Sequence, residues 1–267
     1  MLRYEYDHDF HIHSKLSSCS RDEGQTSERI LQYAKQNNLK SVCLTDHFWD
    51  DAIDGASSWY KAQNFEHISQ ARPLPQAEGI EFLFGCETEM DKFYRLGISK
   101  DCIDMLDFVV VPTTHLHMDD FTIALEDFNS YERRAYLWIK RFDALLEMDL
   151  PFYKIGLAHI TCSLIAPTRE EYLEILKLIP QKEMERLFKE AAKVGVGIEL
   201  NAHVFNFSDK DKNIALLPYK IAKEYGCKFY CGSDAHHPQD FDITKPMFEK
   251  AIDLLELTED DKFHIKR

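Results

Sequence analysis

No apolar run in the 267-residue chain approaches the roughly 18 residues that a membrane-crossing helix needs. There is no CxxC pair, no Gly/Ser linker, no low-complexity tract and no internal repeat. Nothing in the pattern divides the chain, so one domain over residues 1–267 is expected. Basic residues are outnumbered 46 to 32, for a formal charge of −14. With no basic stripe to displace counterions, a general nucleic-acid or membrane-surface binder is disfavoured. Residues 1–10 carry four charges before any apolar stretch, which is unlike a secretory signal. The seven cysteines, an odd number mostly beside apolar neighbours, read as reduced core thiols of a cytoplasmic protein. Cys227 and Cys231 lie in one β-prone run, GCKFYCG, and read as packed thiols rather than a redox pair.

What is present is alternation. β-prone runs at 4–12, 40–45, 80–85, 107–112, 153–158, 196–201 and 228–232 are separated by longer stretches with helical apolar spacing. The clearest helical stretches are 27–37, 126–148, 181–194, 216–225 and 245–257. Gly195 and Gly226 read as helix stops. Strand–helix alternation is the mark of a parallel α/β architecture, and seven such units favour a barrel over an open sheet.

The chain has twelve histidines, and their placement matters more than their number. His11 and His13 end the first run, Asp46 and His47 follow the second, and Glu87 follows the third. His115 follows the fourth, His159 ends the fifth, and Asp234 with His236 follows the seventh. The C-terminal rim of a parallel barrel is where catalytic groups gather. On an extended strand, residues two apart share a side, so His11 and His13 can face one ion. Imidazole suits borderline metals, while carboxylates suit harder ions and can bridge two of them.

The motifs Asp9-Phe10-His11-Ile12-His13-Ser14, Thr45-Asp46-His47, Ala158-His159 and Gly232-Ser233-Asp234-Ala235-His236 occur in that order. Glu199-Leu200-Asn201 adds a strand-six signature. Together they resemble the PHP (polymerase and histidinol phosphatase) superfamily from residue 9 to about 238. The resemblance implies an α/β fold with a distorted, seven-stranded, TIM-like barrel. It also implies two to three divalent ions, Zn, Mn or Fe. The first ion would be held by His11, His13, Glu87 and Asp234. The second would share Glu87 and add His115 and His159, and the third would use His47 and His236. Glu89 and His117, two residues beyond Glu87 and His115, are the alternatives at those positions. After HxH the family commonly places another His or Asp; here the candidates are Cys19, as a thiolate ligand, or Ser18, with Asp22 further along.

Two divalent ions roughly 3.5–4 Å apart can share a hydroxide that attacks phosphorus in line. Only Glu87 and Asp234 among the expected ligands are formally charged, so the loaded pocket would be electropositive inside an acidic protein. Asp46 is expected to hold a ligand's other ring nitrogen. His203, two residues after Asn201, is the preferred proton donor over His117 and His237. Arg21, Arg95, Arg133, Arg134 and Arg169 are candidate phosphate binders, although Arg133-Arg134 reads as a solvated helix face. Phe48, Trp49 and Trp59 would wall a substrate pocket or pack a long loop. The leading expectation is a phosphoesterase acting on a small phosphomonoester, with histidinol phosphate the best single substrate. A metal-dependent amidohydrolase or deaminase, and a non-catalytic polymerase-accessory module, are the alternatives. The former often needs a strand-borne lysine, and Lys154 precedes its strand.

Overall fold

A computed structural model describes residues 2–168 and 171–266. In chain order the strands and helices are β1 (His8–Ile12), α1 (Ser27–Gln36), β2 (Ser41–Leu44), β3 (His47–Phe48), α2 (Phe65–Ile68), β4 (Glu81–Phe84), β5 (Cys86–Thr88) and α3 (Lys100–Asp104). Then follow β6 (Val109–Pro112), α4 (Tyr131–Leu146), β7 (Ile155–Ala158), α5 (Tyr172–Leu178), α6 (Gln181–Val194), β8 (Gly197–Asn201), α7 (Lys212–Glu224), β9 (Lys228–Gly232) and α8 (Phe241–Leu255). No helix among the described residues is long and apolar enough to cross a membrane.

All seven expected runs contain strand, but the described residues form nine strands, because the second and third runs are each followed by a further short strand, β3 and β5, beyond the expected bounds. Between β2 and β3, the Thr45 hydroxyl turns aside to accept the Ile12 N–H at 3.0 Å. Between β4 and β5 stands Gly85, where a Cβ would lie 2.3 Å from the Phe108 carbonyl oxygen and 2.9 Å from Cys43 Sγ. Only glycine lets the backbones pass that closely. The first strand starts at His8 rather than residue 4, because Tyr4 N–H donates to Leu257 O at 3.1 Å instead of pairing in the sheet.

Every strand pairing is parallel. The strands form two sheets, β1-β2-β4 and β3-β5-β6-β7-β8-β9, rather than one closed ring of seven. The edges β1 and β9 meet just past their ends, where Asp234 N–H donates to His11 O at 2.7 Å and His13 N–H to Ala235 O at 3.0 Å. Inside, Phe10, Phe108, Val110, Ala158 and Tyr230 pack together. Outside, helices cover the sheets with faces such as Met184, Leu187, Phe188 and Ala191 of α6, buried at helical spacing. Gly195 ends α6 in the left-handed region at φ 83°, where its N–H caps Ala191 O. None of the seven cysteines is in a disulfide.

Two buried arginines on α4 knit the loops. Arg141 donates to the carbonyls of Met90, Asp91, Thr113 and Thr122. Arg134 donates to the carbonyls of Leu116, Phe128 and Ile165. Arg134 is therefore no solvated helix residue: its guanidinium satisfies carbonyls that would otherwise be buried without partners. Lys154 likewise donates to Ile103 O and Leu106 O, away from any catalytic use.

Gly156 gives a test of interior packing. A Cβ there would lie 2.5 Å from both the Phe108 ring and the Tyr230 hydroxyl. Gly156→Ala is expected to destabilise the protein by about 1–3 kcal/mol through overpacking. A urea midpoint indistinguishable from wild type, at equal slope, would contradict this packing.

Candidate metal centre

The C-terminal strand ends converge. β1 brings His11 and, one step beyond its end, His13. β3 and β5 pair in register so that His47 stands opposite Glu87. The loops after β6, β7 and β9 bring His115, His159 and the pair Asp234 and His236. His159 (φ 24°) and Asp234 (φ 56°) hold positive backbone angles, which non-glycine residues adopt at a cost and mainly where surroundings enforce it.

These side chains form three adjoining groups, each with ligand-type atoms within 4.8 Å of one another: His11, His13 and Asp234; Glu87, His115 and His159; and His13, His47 and His236. Glu87 Oε2 lies 3.6 Å from His11 Nε2 and 3.4 Å from His13 Nε2, and Glu87 Oε1 lies 3.4 Å from His159 Nε2. Asp234 Oδ1 is 3.5 Å and 3.2 Å from the same two Nε2 atoms of His11 and His13. The expected first and second sets are thus brought together with Glu87 between them. In the third, the partner of His47 and His236 is His13. Cys19 joins none of the groups; it sits exposed on the loop beyond His13.

The donors fit divalent ions. His11 Nδ1 is 2.6 Å from Glu199 Oε1, so it carries the proton. His13 Nδ1 is 2.8 Å from Ser17 Oγ, whose own proton goes to Asp46 Oδ1 at 2.7 Å, so His13 Nδ1 must donate too. In their neutral, metal-ligating forms both Nε2 atoms would be bare; they stand 3.1 Å apart and face two carboxylates. Neutral imidazoles in that arrangement repel unless a proton or a metal cation lies between them and the carboxylates. Glu87 Oε1 is buried without any hydrogen-bond partner, a costly condition that coordination would relieve, while His47 Nδ1 lies 2.9 Å from Glu87 Oε2. Burial alone would lower the His11 imidazole, but Glu199, Asp234 and Glu87 outweigh it and push its pKa well above the usual value. Burial would raise the Glu87 and Asp234 carboxyls; the facing imidazoles, His11 foremost, hold both well below the usual range.

A second layer orients the imidazoles. Glu199 on β8 takes His11 with one oxygen and the His159 N–H, at 2.6 Å, with the other. It reaches them over Gly232, where a Cβ would lie 2.0 Å from Glu199 Oε1. Glu89 is no ligand-group member: one oxygen is 2.7 Å from His115 Nδ1 and the other 3.1 Å from the Arg141 guanidinium. Thr114 Oγ1 donates to His159 O and stands 3.0 Å from His159 Nδ1. Asp46 differs from expectation. It accepts from Ser14 N–H, Ser14 Oγ and Ser17 Oγ, each at 2.7 Å, and so holds His13 through Ser17 rather than touching a ring nitrogen itself.

Residues 9–261 match the PHP domain model. The chain belongs to the PHP domain family. Its relatives include a probable phosphatase of Caldicellulosiruptor saccharolyticus, 24% identical over 231 residues, covering 84% of this chain and 80% of the relative. A probable phosphatase of Thermoanaerobacter sp. is 27% identical over 267 residues, covering 94% and 87%. Among solved structures, histidinol phosphate phosphatase from Lactococcus lactis, complexed with zinc, L-histidinol and phosphate, aligns with a TM-score of 0.56 at 17% identity. That alignment covers 92% of this chain and 93% of the other, and it supports the fold.

Two cavities flank the centre of this PHP domain. One, of about 570 Å³, is polar and includes His159, Asn201, His203, Asp234 and His236. The other, of about 470 Å³, includes Cys19, Trp59, Tyr60, Glu87, His115 and Met118. His203 is exposed in the first, its N–H held by Asn201 Oδ1 at 3.0 Å. His117 opens on the second, edge-on to His115, and His237 N–H is tied to Asp240. Phe48 and Trp49 are buried packing residues, whereas Trp59 is at the cavity wall. Among the described residues no arginine or lysine lines either cavity. Arg95 is spent on Asp91 and Arg133 on Asp127, and Arg21 is exposed elsewhere on the loop that carries Cys19. Arg169 lies outside the described residues.

Glu199 was legible only as part of a motif, and its role depends on a contact across 188 residues. Glu199→Gln is expected to weaken divalent-ion affinity about 10–100-fold, read by competition with a chelating dye. Gly232→Ala, which displaces the same carboxylate, should act in the same direction. Wild-type affinity in both variants would remove Glu199 from the metal centre.

Proposed function

We propose that the protein is a metal-dependent phosphomonoesterase acting on a small phosphorylated substrate, with histidinol phosphate the best single candidate. The observation that carries the reading is the set of three adjoining groups of histidines and carboxylates at one rim, with imidazole nitrogens and carboxylate oxygens turned toward one another. The relatives named as phosphatases, and a fold neighbour solved with phosphate, point the same way. In this reading two to three divalent ions, Zn, Mn or Fe, are the resident cofactors. When bound, such ions neutralise phosphoryl oxygens and activate water for attack.

The chain's own residues do the rest. His11, His13, Glu87 and Asp234 would hold one ion; Glu87, His115 and His159 a second; His13, His47 and His236 a third. Glu199, Ser17, Glu89 and Thr114 fix which ring nitrogen faces the rim. Asp46 acts behind His13 by keeping Ser17 turned toward its ring. His203 is the side chain we assign to moving a proton at the rim, since it lines the polar cavity beside His159 and Asp234. We read the two sheets as one distorted barrel with seven strand positions in one domain, joined by the β1–β9 contacts. The unbridged cysteines fit a cytoplasmic setting. Lys154, bonded to two carbonyls, counts against the amidohydrolase alternative.

The test pairs elemental analysis with a phosphoester screen that includes histidinol phosphate. Phosphate release should vanish with a chelator and return with Zn²⁺, Mn²⁺ or Fe²⁺. Release of ammonia from amide or nucleobase substrates without phosphate release would overturn the reading. His11→Ala and Asp234→Asn should each lose at least about a hundredfold in kcat/KM, the upper range for loss of even an outer partner, while circular dichroism stays native. Wild-type turnover in either variant would count against the ligand assignment.

A further inference from the structure

The two cavities differ in chemistry, and both open on Asp234 and His236. The polar one offers amide and hydroxyl groups. The other offers Trp59, Tyr60, Met118 and Leu164 as a wall. Trp59 stands edge-on to Tyr60 at 4.7 Å and to His47 at 5.0 Å between ring centroids. It thereby forms the side of an aromatic corner whose base is a metal-group imidazole. Leu164, which keeps 37% of its surface exposed, belongs to the lining of both cavities. Five of the residues lining this second cavity, His47, Glu87, His115, Asp234 and His236, also belong to the three metal groups. A molecule in this lobe therefore lies against the site of reaction.

The lobe's electrostatics narrow what fits. Among the described residues no arginine or lysine lines it, so it does not call for a second anionic group. Its carboxylates, Glu87 and Asp234, are both engaged with imidazoles, so neither is left to pair with a ligand ammonium. What remains, besides His117 and Cys19, is apolar and aromatic area. A volume of about 470 Å³ falls in the range of pockets that hold small ligands. Such walls gain most from a flat ring, through apolar burial and edge or face contacts.

We propose that the lobe walled by Trp59, Tyr60, Met118 and Leu164 is a specificity subsite that receives a planar ring carried by the alcohol portion of the substrate. The proposal rests on the phosphomonoesterase reading. It makes ring-bearing phosphomonoesters preferred over open-chain polyol phosphates. It assigns the discrimination to Trp59 and Met118, neither of which belongs to a metal group.

The experiment compares benzyl phosphate with glycerol 3-phosphate, both primary alkyl esters, on the metal-loaded protein and on Trp59→Ala and Met118→Ala. Wild type should favour the benzyl ester in kcat/KM. The benzyl-to-glycerol ratio should fall at least about fivefold in each variant, mostly through KM. A general disturbance of the site would lower both esters together and leave the ratio fixed. Calorimetry gives a readout independent of turnover: wild type should bind benzylphosphonate more tightly than methylphosphonate, and Trp59→Ala should lose that margin. A ratio within twofold of wild type in both variants, or equal affinity for the two phosphonates, overturns the subsite. Failure of the metal-loaded wild type to hydrolyse either ester, or anything in the wider screen, instead overturns the phosphomonoesterase reading, and the subsite falls with it.

Discussion

Two buried imidazole nitrogens, the Nε2 atoms of His11 and His13, 3.1 Å apart and hemmed in by carboxylates, are the constraint on which this rim depends. In water, each would be solvated and harmless. Buried, they can be satisfied only by a proton or a cation held between them and the facing carboxylates, and Glu87 Oε1 has no hydrogen-bond partner. Such a cluster costs free energy in a bare protein. It becomes favourable when cations share the lone pairs. Folding this chain therefore builds a place whose own polar groups are incompletely satisfied, and ligand-binding free energy would be returned to the folded state. The positive backbone angles at His159 and Asp234 belong to the same pattern of strain held at a site by the surrounding structure.

Two carboxylates outside the ligand groups carry that strain into the scaffold. Glu199 joins β1, through His11, to the turn after β7, through the His159 N–H, and it can do so because β9 presents Gly232 beneath it. Glu89 joins His115 to Arg141, and Arg141 then gathers four loop carbonyls on α4. The first arrangement couples strands to one another. The second couples a loop to a helix. Each places a ring to within a single hydrogen bond, which is what fixes the nitrogen turned toward the rim.

The sequence revealed the strand positions and the rim residues because both follow from short-range rules. Apolar β-prone runs mark strands, and the x-spacing of His11 and His13 puts both rings on one side. The breaks at Thr45–Asp46 and Gly85 were not legible, since they come from how closely a neighbouring backbone approaches rather than from local propensity. Asp46 shows the same limit at side-chain scale. Its adjacency to His47 suggested a direct hold on that ring, but a four-residue loop placed Ser17 between Asp46 and His13 instead. Arg134 looked exposed because it follows Arg133 in a polar stretch. Its burial is decided by three carbonyls from loops up to 31 residues away. Cys19 matched a family position by count, yet its loop leaves it at the cavity edge, and His13 completes the third group.

The absence of arginine and lysine from both described cavity linings ties anion recognition to the metal groups. Without cations, the rim presents Glu87 and Asp234, which repel a phosphate. With them, the same rim attracts it. Phosphate affinity and ion occupancy are then linked, and each must strengthen the other by the same factor. A lysine or arginine fork would bind phosphate in the apo protein as well. If bound ions supply that charge, as proposed, the acidic protein's rim stays closed to anions until the ions are in place. In the proposed reading it also leaves the remaining wall, Trp59 and Met118 among it, for the part of a substrate that carries no charge.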